Sequence, residues 1–371
     1  MTTPDYTSRF DGALARRLGD RIADTTPFDV DAFVARATDG IEPLRMKERV
    51  VAFADALHAT GGSYRAVLDG IVASLGAVED PDAGGAWADF DLWPFTMFVR
   101  RHGLDDVDAS LDALGALTRR FTAEFAIRPY LVHHTDATFA RLEDWVDAPC
   151  PHQRRLVSEG TRPRLPWGER LRDLQADPSP SIALLDRLVD DPSEYVRRSV
   201  ANHLNDIAKD HPALAVTTAE RWRDDDTPHR VRLIRHGMRT LVKAGDPGAL
   251  AVTGVRADAD VHVDAFDAST NVTLGEALTL HARITSHEPA PIDVVVDFVI
   301  HHVRANGQTS PKVFKWRRRT LAPGETLTLD KGHGIRRITT RRYYPGTHRV
   351  DLQVNGAVRA SRTFELHVPD A

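Results

Sequence analysis

The chain of 371 residues has a single cysteine, Cys150, which excludes an internal disulfide and a cysteine-based zinc site. It also lacks any stretch close to the roughly 20 apolar residues that span a bilayer, so we expect no integral membrane protein. The first 18 residues lack the apolar run of a signal peptide. Together these absences predict a protein of a reducing, cytoplasmic compartment.

The motifs of several enzyme classes are missing as well. The sequence contains no glycine-rich phosphate loop, no His-Glu-x-x-His and no Gly-x-Ser-x-Gly. The neighbouring pairs His133-His134 and His301-His302 do not have metal-ligand spacing, because adjacent residues of a helix or strand do not face one site. We therefore expect neither a metal nor a cofactor.

Two patterns of hydrophobic residues meet near residue 256. Before it, apolar residues recur every three or four positions, as at Leu111, Leu114 and Leu117, which predicts amphipathic helices. From Pro180 onward the predicted helices form pairs about every 30 residues, a spacing typical of solenoid repeats.

After residue 256 the apolar residues alternate with polar ones, as in 278–284, and turn signals such as Asn306-Gly307 separate the segments. About seven strands of this kind are typical of an immunoglobulin-like sandwich. The sequence thus predicts a multidomain protein, with an all-α repeat solenoid over residues 1–256 and an all-β immunoglobulin-like sandwich over residues 257–371.

The net charge of −5 does not by itself favour nucleic-acid binding, but positive charge is concentrated in the second part. One cluster covers residues 315–319, and another, with Arg336, Arg337, Arg341 and Arg342, lies in a long connection beside two tyrosines. A basic loop with aromatic residues is typical of phosphate contact. The alternative is a solvated surface that balances the acidic helical part.

Three carboxylates stand out in the helical part. Glu124 lies between Phe121 and Phe125, near the predicted C-terminal end of a helix, where a carboxylate opposes the helix dipole. Glu159 precedes a proline-spaced basic loop that ends at Trp167.

The third carboxylate, Asp206, shares one line of a predicted helix with Tyr195, Ser199 and Asn202, apart from the apolar line of the same helix. On the concave side of a solenoid this polar line would face a ligand.

Each of these residues also has a structural interpretation, and the residues alone leave both open. Glu124 would pair with Arg128 four positions on, and Glu159 would balance Arg155 or Arg162. Asp206 would be a solvated helix residue, and Trp167 a packing residue.

Three blocks in fixed order favour the functional interpretation. Residues 120–129 (RFTAEFAIRP), 158–167 (SEGTRPRLPW) and 196–209 (VRRSVANHLNDIAK) resemble the AlkC branch of the HEAT-like-repeat DNA alkylation repair glycosylases, relatives of the AlkD branch. Residues 321–325 and 341–346 are similar to the subgroup with a C-terminal immunoglobulin-like domain.

The resemblance implies a monofunctional DNA glycosylase of base excision repair, monomeric and without cofactor. It would hydrolyse the N-glycosidic bond of cationic 3-methyladenine and 3-methylcytosine in double-stranded DNA, with 1-methyladenine a further candidate. Carried over by position, the implied site residues fall into three groups: catalytic Glu124, Glu159 and Asp206; substrate-binding Trp167 and Asn202; and DNA-binding Arg162, Arg164, Arg198, Lys209, Arg336, Arg337, Arg341 and Arg342.

The chemistry suits such residues. An N3-alkylated base is already cationic and leaves without a general acid, while carboxylates stabilise the oxocarbenium-like sugar and activate water. Which carboxylate activates water stays open at this point. The competing hypotheses are a non-catalytic solenoid that binds damaged DNA and a protein-binding scaffold.

Overall fold

Helices occupy the chain as far as Val252 and strands follow from Val261 in the computed structural model, which describes residues 6–76 and 89–369. The predicted order, an all-α repeat part before an all-β part, is confirmed. The chain divides into two compact units, Met1–Asp210 and His211–Ala371. The domain boundary expected between residues 256 and 257 stays a prediction.

The first unit is built from short helices joined by short turns. Its helices are α1 Gly12–Ala23, α2 Val30–Thr38, α3 Met46–Thr60, α4 Tyr64–Ala73, α5 Trp93–His102, α6 Val107–Leu117, α7 Arg128–His133, α8 Thr135–Trp145, α9 Pro151–Gly160, α10 Arg172–Ala176, α11 Ser179–Leu188 and α12 Glu194–Ile207.

Capping residues and prolines set where many of these helices begin. Asp11, Asp29 and Ser63 accept hydrogen bonds from backbone amides in the first turns of α1, α2 and α4. Pro151 occupies the first position of α9, where its missing N–H is not needed. No helix within the two described ranges is long and apolar enough to cross a bilayer.

One local prediction was wrong. The helix expected through Phe121 and Phe125 ends earlier, because α6 stops at Leu117 and residues 118–127 form turns. The Thr122 hydroxyl lies 3.4 Å from the Glu124 amide and 2.7 Å from the Glu124 carboxylate, local bonds that compete with helix formation. Glu124 therefore lies on a turn between α6 and α7, and the helix-dipole argument does not apply to it.

Helices α9, α11 and α12 pack on one another and position the candidate site. The apolar line of α12, with Val196, Val200 and Leu204, is buried in the core. Its polar line turns toward α9, where the Ser199 hydroxyl lies 3.0 Å from the Ser158 hydroxyl. The line expected to face a ligand thus packs largely against a neighbouring helix.

The second unit begins with four helices and continues with eight strands in the described residues. They are α13 Pro212–Arg223, α14 Pro228–Gly237, α15 Arg239–Ala244, α16 Pro247–Val252, β1 Val261–Ala268, β2 Asn271–Thr273, β3 Ala277–Ser286, β4 Ile292–Val303, β5 Thr309–Leu321, β6 Thr326–Gly334, β7 Gly346–Val354 and β8 Ala357–His367.

The strands form two sheets that share one core. The first has the order β1-β3-β6 and the second β2-β8-β7-β4-β5. Alternate residues of β3, including Leu278, Leu280 and Ala282, pack with Phe298 and Phe364 of the other sheet. This packing of two mainly antiparallel sheets confirms the predicted sandwich.

Candidate active site

Glu159 lies one residue before the end of α9 and is buried among polar partners. Its Oε1 accepts a hydrogen bond from Arg162 Nη1 at 2.6 Å, with Arg155 Nη2 at 3.6 Å, and its Oε2 accepts one from the Ser199 hydroxyl at 2.5 Å. Burial would raise the pKa of Glu159, but the two guanidiniums and the hydroxyl outweigh it and hold the pKa below its ordinary value. The side chain is an anion at neutral pH.

Asp206 is joined to Glu159 through a shared arginine. It lies on α12 with 1% of its surface exposed. Its Oδ2 accepts from Arg162 Nε at 2.8 Å and its Oδ1 from Lys209 Nζ at 2.8 Å. Burial would lower the pKa of Arg162, but Glu159 and Asp206 raise it, so the guanidinium bridges the two carboxylates in its charged form.

Glu124 is joined to Glu159 in the same way, through Arg155. The Glu124 Oε2 accepts from Arg155 Nη1 at 2.7 Å and from the Thr122 hydroxyl at 2.7 Å. The Arg155 guanidinium also lies 4.9 Å from the centre of the Tyr195 ring, a cation–π distance. Burial raises the pKa of Tyr195 to about 12, so this ring stays uncharged.

These contacts form one row of alternating charges, which we call the carboxylate cluster. It joins a turn, α9 and α12, and its members in order are Glu124, Arg155, Glu159, Arg162, Asp206 and Lys209. Buried pairs of this kind contribute little net stability, but losing one partner leaves an uncompensated buried charge and costs about 3–5 kcal/mol. The row therefore holds carboxyl groups from three separate segments in one place.

One oxygen of the cluster differs from the rest. Five of the six carboxylate oxygens accept bonds from the groups named above, whereas Glu124 Oε1 accepts none from residues 6–76 and 89–369. Glu124 and Glu159 are buried to a similar degree, with 5% and 6% of their surfaces exposed. Among the six oxygens, this one therefore has the most remaining capacity to bind a water or a reacting group.

The side chain of Arg128 fixes the loop that follows α9. The Arg128 side chain is fully buried and donates to the backbone carbonyls of Gly160, Arg162 and Glu169. Burial lowers its pKa to about 10, so it remains charged at neutral pH. It does not pair with Glu124, the alternative considered from sequence spacing. One side chain thus sets the shape of residues 160–169.

Trp167 occupies the tip of that loop in an unfavourable conformation. The Gly168 amide donates to the Leu165 carbonyl at 3.2 Å, so Pro166 and Trp167 are the central residues of a turn. Trp167 has φ 63°, a left-handed conformation that costs a non-glycine residue about 1–2 kcal/mol, and 84% of its surface is exposed. The packing role considered for Trp167 does not fit this exposure, which presents its ring to a partner.

His203 supports the cluster from within the core. Its Nδ1 lies 2.9 Å from the Ser158 carbonyl, which only accepts, so Nδ1 carries the proton. Complete burial, with the nearby charge of Arg162, lowers the pKa of His203 to about 4. The neutral ring therefore ties α12 to the last turn of α9, next to Glu159.

The other predicted site residues of this unit lie on the same helix or loop. Asn202 is half-buried on α12, and Arg198 is exposed and paired with Glu194 at 3.1 Å. Arg164 is bound by both oxygens of Asp210 at 2.6 and 2.5 Å. Arg162, predicted as a DNA contact, lies within the carboxylate cluster with 7% of its surface exposed.

The remaining predicted DNA contacts lie in the second unit, on the connection between β6 and β7. We call residues 335–345 the basic loop. Arg336, Arg337 and Arg342 are exposed, whereas Arg341 is half-buried and donates to the His302 ring at 2.6 Å.

Sequence reasoning did not assign roles to Arg155 and Arg128, which hold the site together. From the sequence, Arg155 was expected only to pair with Glu159, which lies four positions later. Its hydrogen bond to Glu124 joins residues 31 positions apart, and no local pattern reveals a contact at that separation. Ser199, in contrast, was on the polar line of α12, and that line does lead to Glu159.

Three comparisons with known proteins agree with this architecture. A family model described as "Uncharacterised protein YhaZ, C-terminal Ig-like domain" matches residues 262–368. "Uncharacterized protein YhaZ" of Bacillus subtilis (strain 168) is 38% identical over 273 residues, which are 73% of this chain and 76% of that protein. The structure of Pseudomonas fluorescens alkylpurine DNA glycosylase AlkC, bound to DNA containing an abasic site analog, matches with a TM-score of 0.89 and 35% identity over 98% of this chain and 100% of that chain.

Proposed function

Because the chain belongs to the AlkC-type family of DNA alkylation repair glycosylases with a C-terminal immunoglobulin-like domain, we propose that it removes alkylated bases from DNA. The Pseudomonas fluorescens relative is an alkylpurine DNA glycosylase. The finer proposal is a monofunctional, monomeric enzyme that hydrolyses the N-glycosidic bond of 3-methyladenine, 3-methylcytosine and 1-methyladenine in double-stranded DNA.

The observation that carries the proposal is the carboxylate cluster. Glu124, Glu159 and Asp206 come from three segments, and Arg155 and Arg162 hold them together as one buried network. Preset anionic oxygens beside C1′ stabilise a sugar that becomes positive as its bond to the base breaks. One well-placed carboxylate supplies about 3–4 kcal/mol, or 10²–10³ in rate.

The protonation of the cluster supports a cationic leaving base. Glu159 is ionised and His203 is neutral at pH 7, so neither offers a proton to the base. A base alkylated at a ring nitrogen already carries a positive charge. The electron pair of its glycosidic bond neutralises that charge on departure, and no general acid is needed.

Within the carboxylate cluster, we propose that Glu124 binds and activates the attacking water. Its Oε1 is the oxygen that accepts no bond from the described residues, so it can orient a water and take its proton as the water oxygen bonds to C1′. Glu159 and Asp206, with both oxygens occupied, supply fixed negative charge. Arg155 and Arg162 position these carboxylates, which for Arg162 replaces the direct DNA contact expected from the sequence.

Trp167 and the exposed cations complete the proposed interface. A Trp held at a turn tip in a strained conformation offers a π face to a cationic base or a sugar. We propose that Asn202 lies beside it at the substrate and that Arg164, Arg198, Lys209 and the basic loop contact phosphates.

The test is release of the free base from a duplex that holds one 3-methylcytosine or one 3-methyladenine. We expect release without added magnesium and without strand cleavage, and no release from the unmodified duplex. Failure to release any cationic alkylated base, by a preparation that still binds duplex DNA, would favour the non-catalytic DNA-binding hypothesis.

A rescue experiment separates the roles of the carboxylates. Glu124→Gln should slow single-turnover release by about 10²–10³, and sodium azide, a nucleophile that needs no deprotonation, should restore part of the rate. Azide should not restore Asp206→Asn, because the missing negative charge is needed with any nucleophile. The opposite pattern would assign the water to Asp206.

A further inference from the structure

Arg100, in the last turn of α5, joins the two segments of the first unit that carry Glu124 and Trp167. Its Nη1 donates to the Phe125 carbonyl at 2.5 Å and lies 3.1 Å from Glu169 Oε1. Phe125 directly follows Glu124 on the turn between α6 and α7, and Glu169 lies two positions after Trp167. One nitrogen with two N–H groups therefore connects that turn to the loop that follows α9.

The helix that supplies Arg100 is itself firmly held. The side chains of Phe95, Phe98 and Val99 on α5 are completely buried. The Val99 carbonyl also accepts a hydrogen bond from the Tyr130 hydroxyl at 2.8 Å. Arg100 thus extends toward the turn and the loop from a fixed part of the core.

Glu169 is bound by two arginines at different atoms. Arg128 donates to its backbone carbonyl, whereas Arg100 pairs with its carboxylate. The contact with Arg128 sets the shape of the loop that follows α9. The contact with Arg100 sets where this loop lies relative to the turn that carries Glu124.

The ion pair is too exposed for stability to be its main use. The exposed fractions of the Arg100 and Glu169 side chains are 24% and 42%, and ion pairs in contact with solvent contribute little to the free energy of unfolding. What the contacts do fix is a distance, because the same nitrogen is bonded to both segments.

We infer that Arg100 is a positioning residue that holds Glu124 and Trp167 at one separation, so that the water activated by Glu124 meets a sugar whose base contacts Trp167. The inference rests on the proposed function. Reacting atoms must lie about 3–3.5 Å apart, and a misplacement of about 1 Å can slow a reaction about 10²-fold. A residue that fixes this separation therefore acts on the rate without touching the substrate.

The first test is Arg100→Leu, which removes both contacts and leaves Glu124 and Trp167 in the chain. Single-turnover release of an alkylated base should slow by about 10- to 100-fold, while duplex affinity stays within about threefold. Arg100→Lys, which restores a cation able to donate to both acceptors, should recover most of the rate. The matched control is Arg101→Leu, which removes an exposed pair with Asp55 on the next residue of α5 and should release base at the unaltered rate.

Sodium azide separates a positioning role from a general loss of structure. Azide needs no deprotonation, so its attack does not depend on where Glu124 lies, and it should restore part of the rate of Arg100→Leu. In a Glu124→Gln background, adding Arg100→Leu should slow release by less than about threefold, because both changes affect one step. A slow Arg100→Leu variant that azide does not restore, or a full further loss in the Glu124→Gln background, would overturn action through Glu124.

The link between the two segments can also be measured without turnover. In Arg100→Leu, hydrogen exchange of backbone amides should become faster in both residues 118–127 and residues 160–169. In Glu169→Ala, which leaves the bond to the Phe125 carbonyl in place, exchange should become faster in residues 160–169 alone. Unchanged exchange of the turn in Arg100→Leu would overturn the link.

Two outcomes separate this inference from the proposed function. Base release that is equally fast for the unaltered protein and for Arg100→Leu would overturn the positioning role and leave the glycosylase. No release from any alkylated duplex by the unaltered protein would overturn the glycosylase and, with it, the catalytic use of Arg100. Hydrogen exchange would in that case still decide whether Arg100 joins the two segments.

Discussion

Arg162 is buried and Arg155 half-buried between carboxylates in the first unit. Arg336 and Arg337, in contrast, are exposed on the basic loop of the second unit, with no carboxylate partner among the described residues. The same guanidinium group therefore has two uses in one chain. A paired, buried arginine fixes the position of other side chains, and an unpaired, exposed one is available to a ligand. We therefore predict that substitutions of the paired arginines mainly reduce stability, whereas substitutions of the exposed arginines mainly reduce ligand binding.

The largest expected effect is on the stability of the carboxylate cluster. Arg155→Leu leaves Glu124 and Glu159 buried without their shared cation, so the first unit should lose about 3–5 kcal/mol in urea unfolding. Arg155→Lys should recover part of this loss, because lysine restores the positive charge but not the planar guanidinium that contacts both carboxylates. A matched control, Arg187→Ala, removes an exposed pair with Glu143 and Asp147 and should cost at most about 1 kcal/mol.

A pH effect of nearly the same size should come from the buried histidine of the first unit. The pKa of His203 falls from 6.5 to about 4 on folding, so the unfolded chain binds the extra proton between these values. Stability from this group is complete above pH 6.5 and is lost as pH falls toward 4, by about 3 kcal/mol. The free energy of opening, followed by hydrogen exchange in α9 and α12, should show this slope, and His203→Gln should flatten it.

Glu159 adds a second pH range, at more acidic pH, in which the protein loses stability. Its pKa in the folded protein lies below the ordinary value of 4.5. Its contribution to stability is therefore present above about pH 4.5 and lost as pH falls further. A His203→Gln variant that loses stability between pH 6.5 and 4.5 as steeply as the unaltered protein would contradict the assignment to His203.

Removing a carboxylate charge should separate catalysis from binding. Asp206→Asn should lower single-turnover base release by about 10² while duplex affinity stays within about threefold. The control on the same helix is Glu194→Gln, which removes an exposed carboxylate paired with Arg198. Equal rates for the two variants would show that the position of the charge in the cluster is irrelevant.

The strained turn should give a smaller effect, of opposite sign on stability. Trp167→Gly relieves a left-handed conformation and removes a mostly exposed ring, so stability should rise by up to about 1 kcal/mol. Base release should fall if the ring meets the substrate as we propose. A thermal melt and a single-turnover assay on one preparation check both signs.

The smallest stability effect is expected on the basic loop. Arg337→Ala should change the unfolding free energy by no more than about 0.5 kcal/mol, because the side chain is exposed and has no carboxylate partner in the described residues. It should still reduce the salt dependence of duplex binding by about one phosphate contact. A loss of stability like that of Arg155→Leu would remove the distinction between the two sets of arginines.

The order of helices and strands follows from local patterning, and so it could be predicted. The alternation in β3 and the spacing of three and four in α6 are properties of neighbouring residues. The turn at Glu124 could not, because Phe121 and Phe125, four positions apart, imitate a helical pattern while the Thr122 side chain bonds to the backbone of the turn.

The candidate site could likewise be predicted only in part. Ser199 and Asp206 share one line of a helix, so their common direction follows from helix geometry. The bridging of Glu124 and Glu159 by Arg155 depends on how a turn packs against α9, which the spacing of residues does not encode.

The hydrogen bonds from Arg128 to three backbone carbonyls constrain the length of the loop that follows α9. An insertion or deletion between Gly160 and Glu169 would pull at least one carbonyl out of reach, so the number of residues in this segment is constrained. Trp167 itself is 84% exposed, so its side chain can be exchanged without changing that number. Exchanging that one side chain is therefore a direct test of its proposed role at the substrate, because the length of the loop stays unchanged.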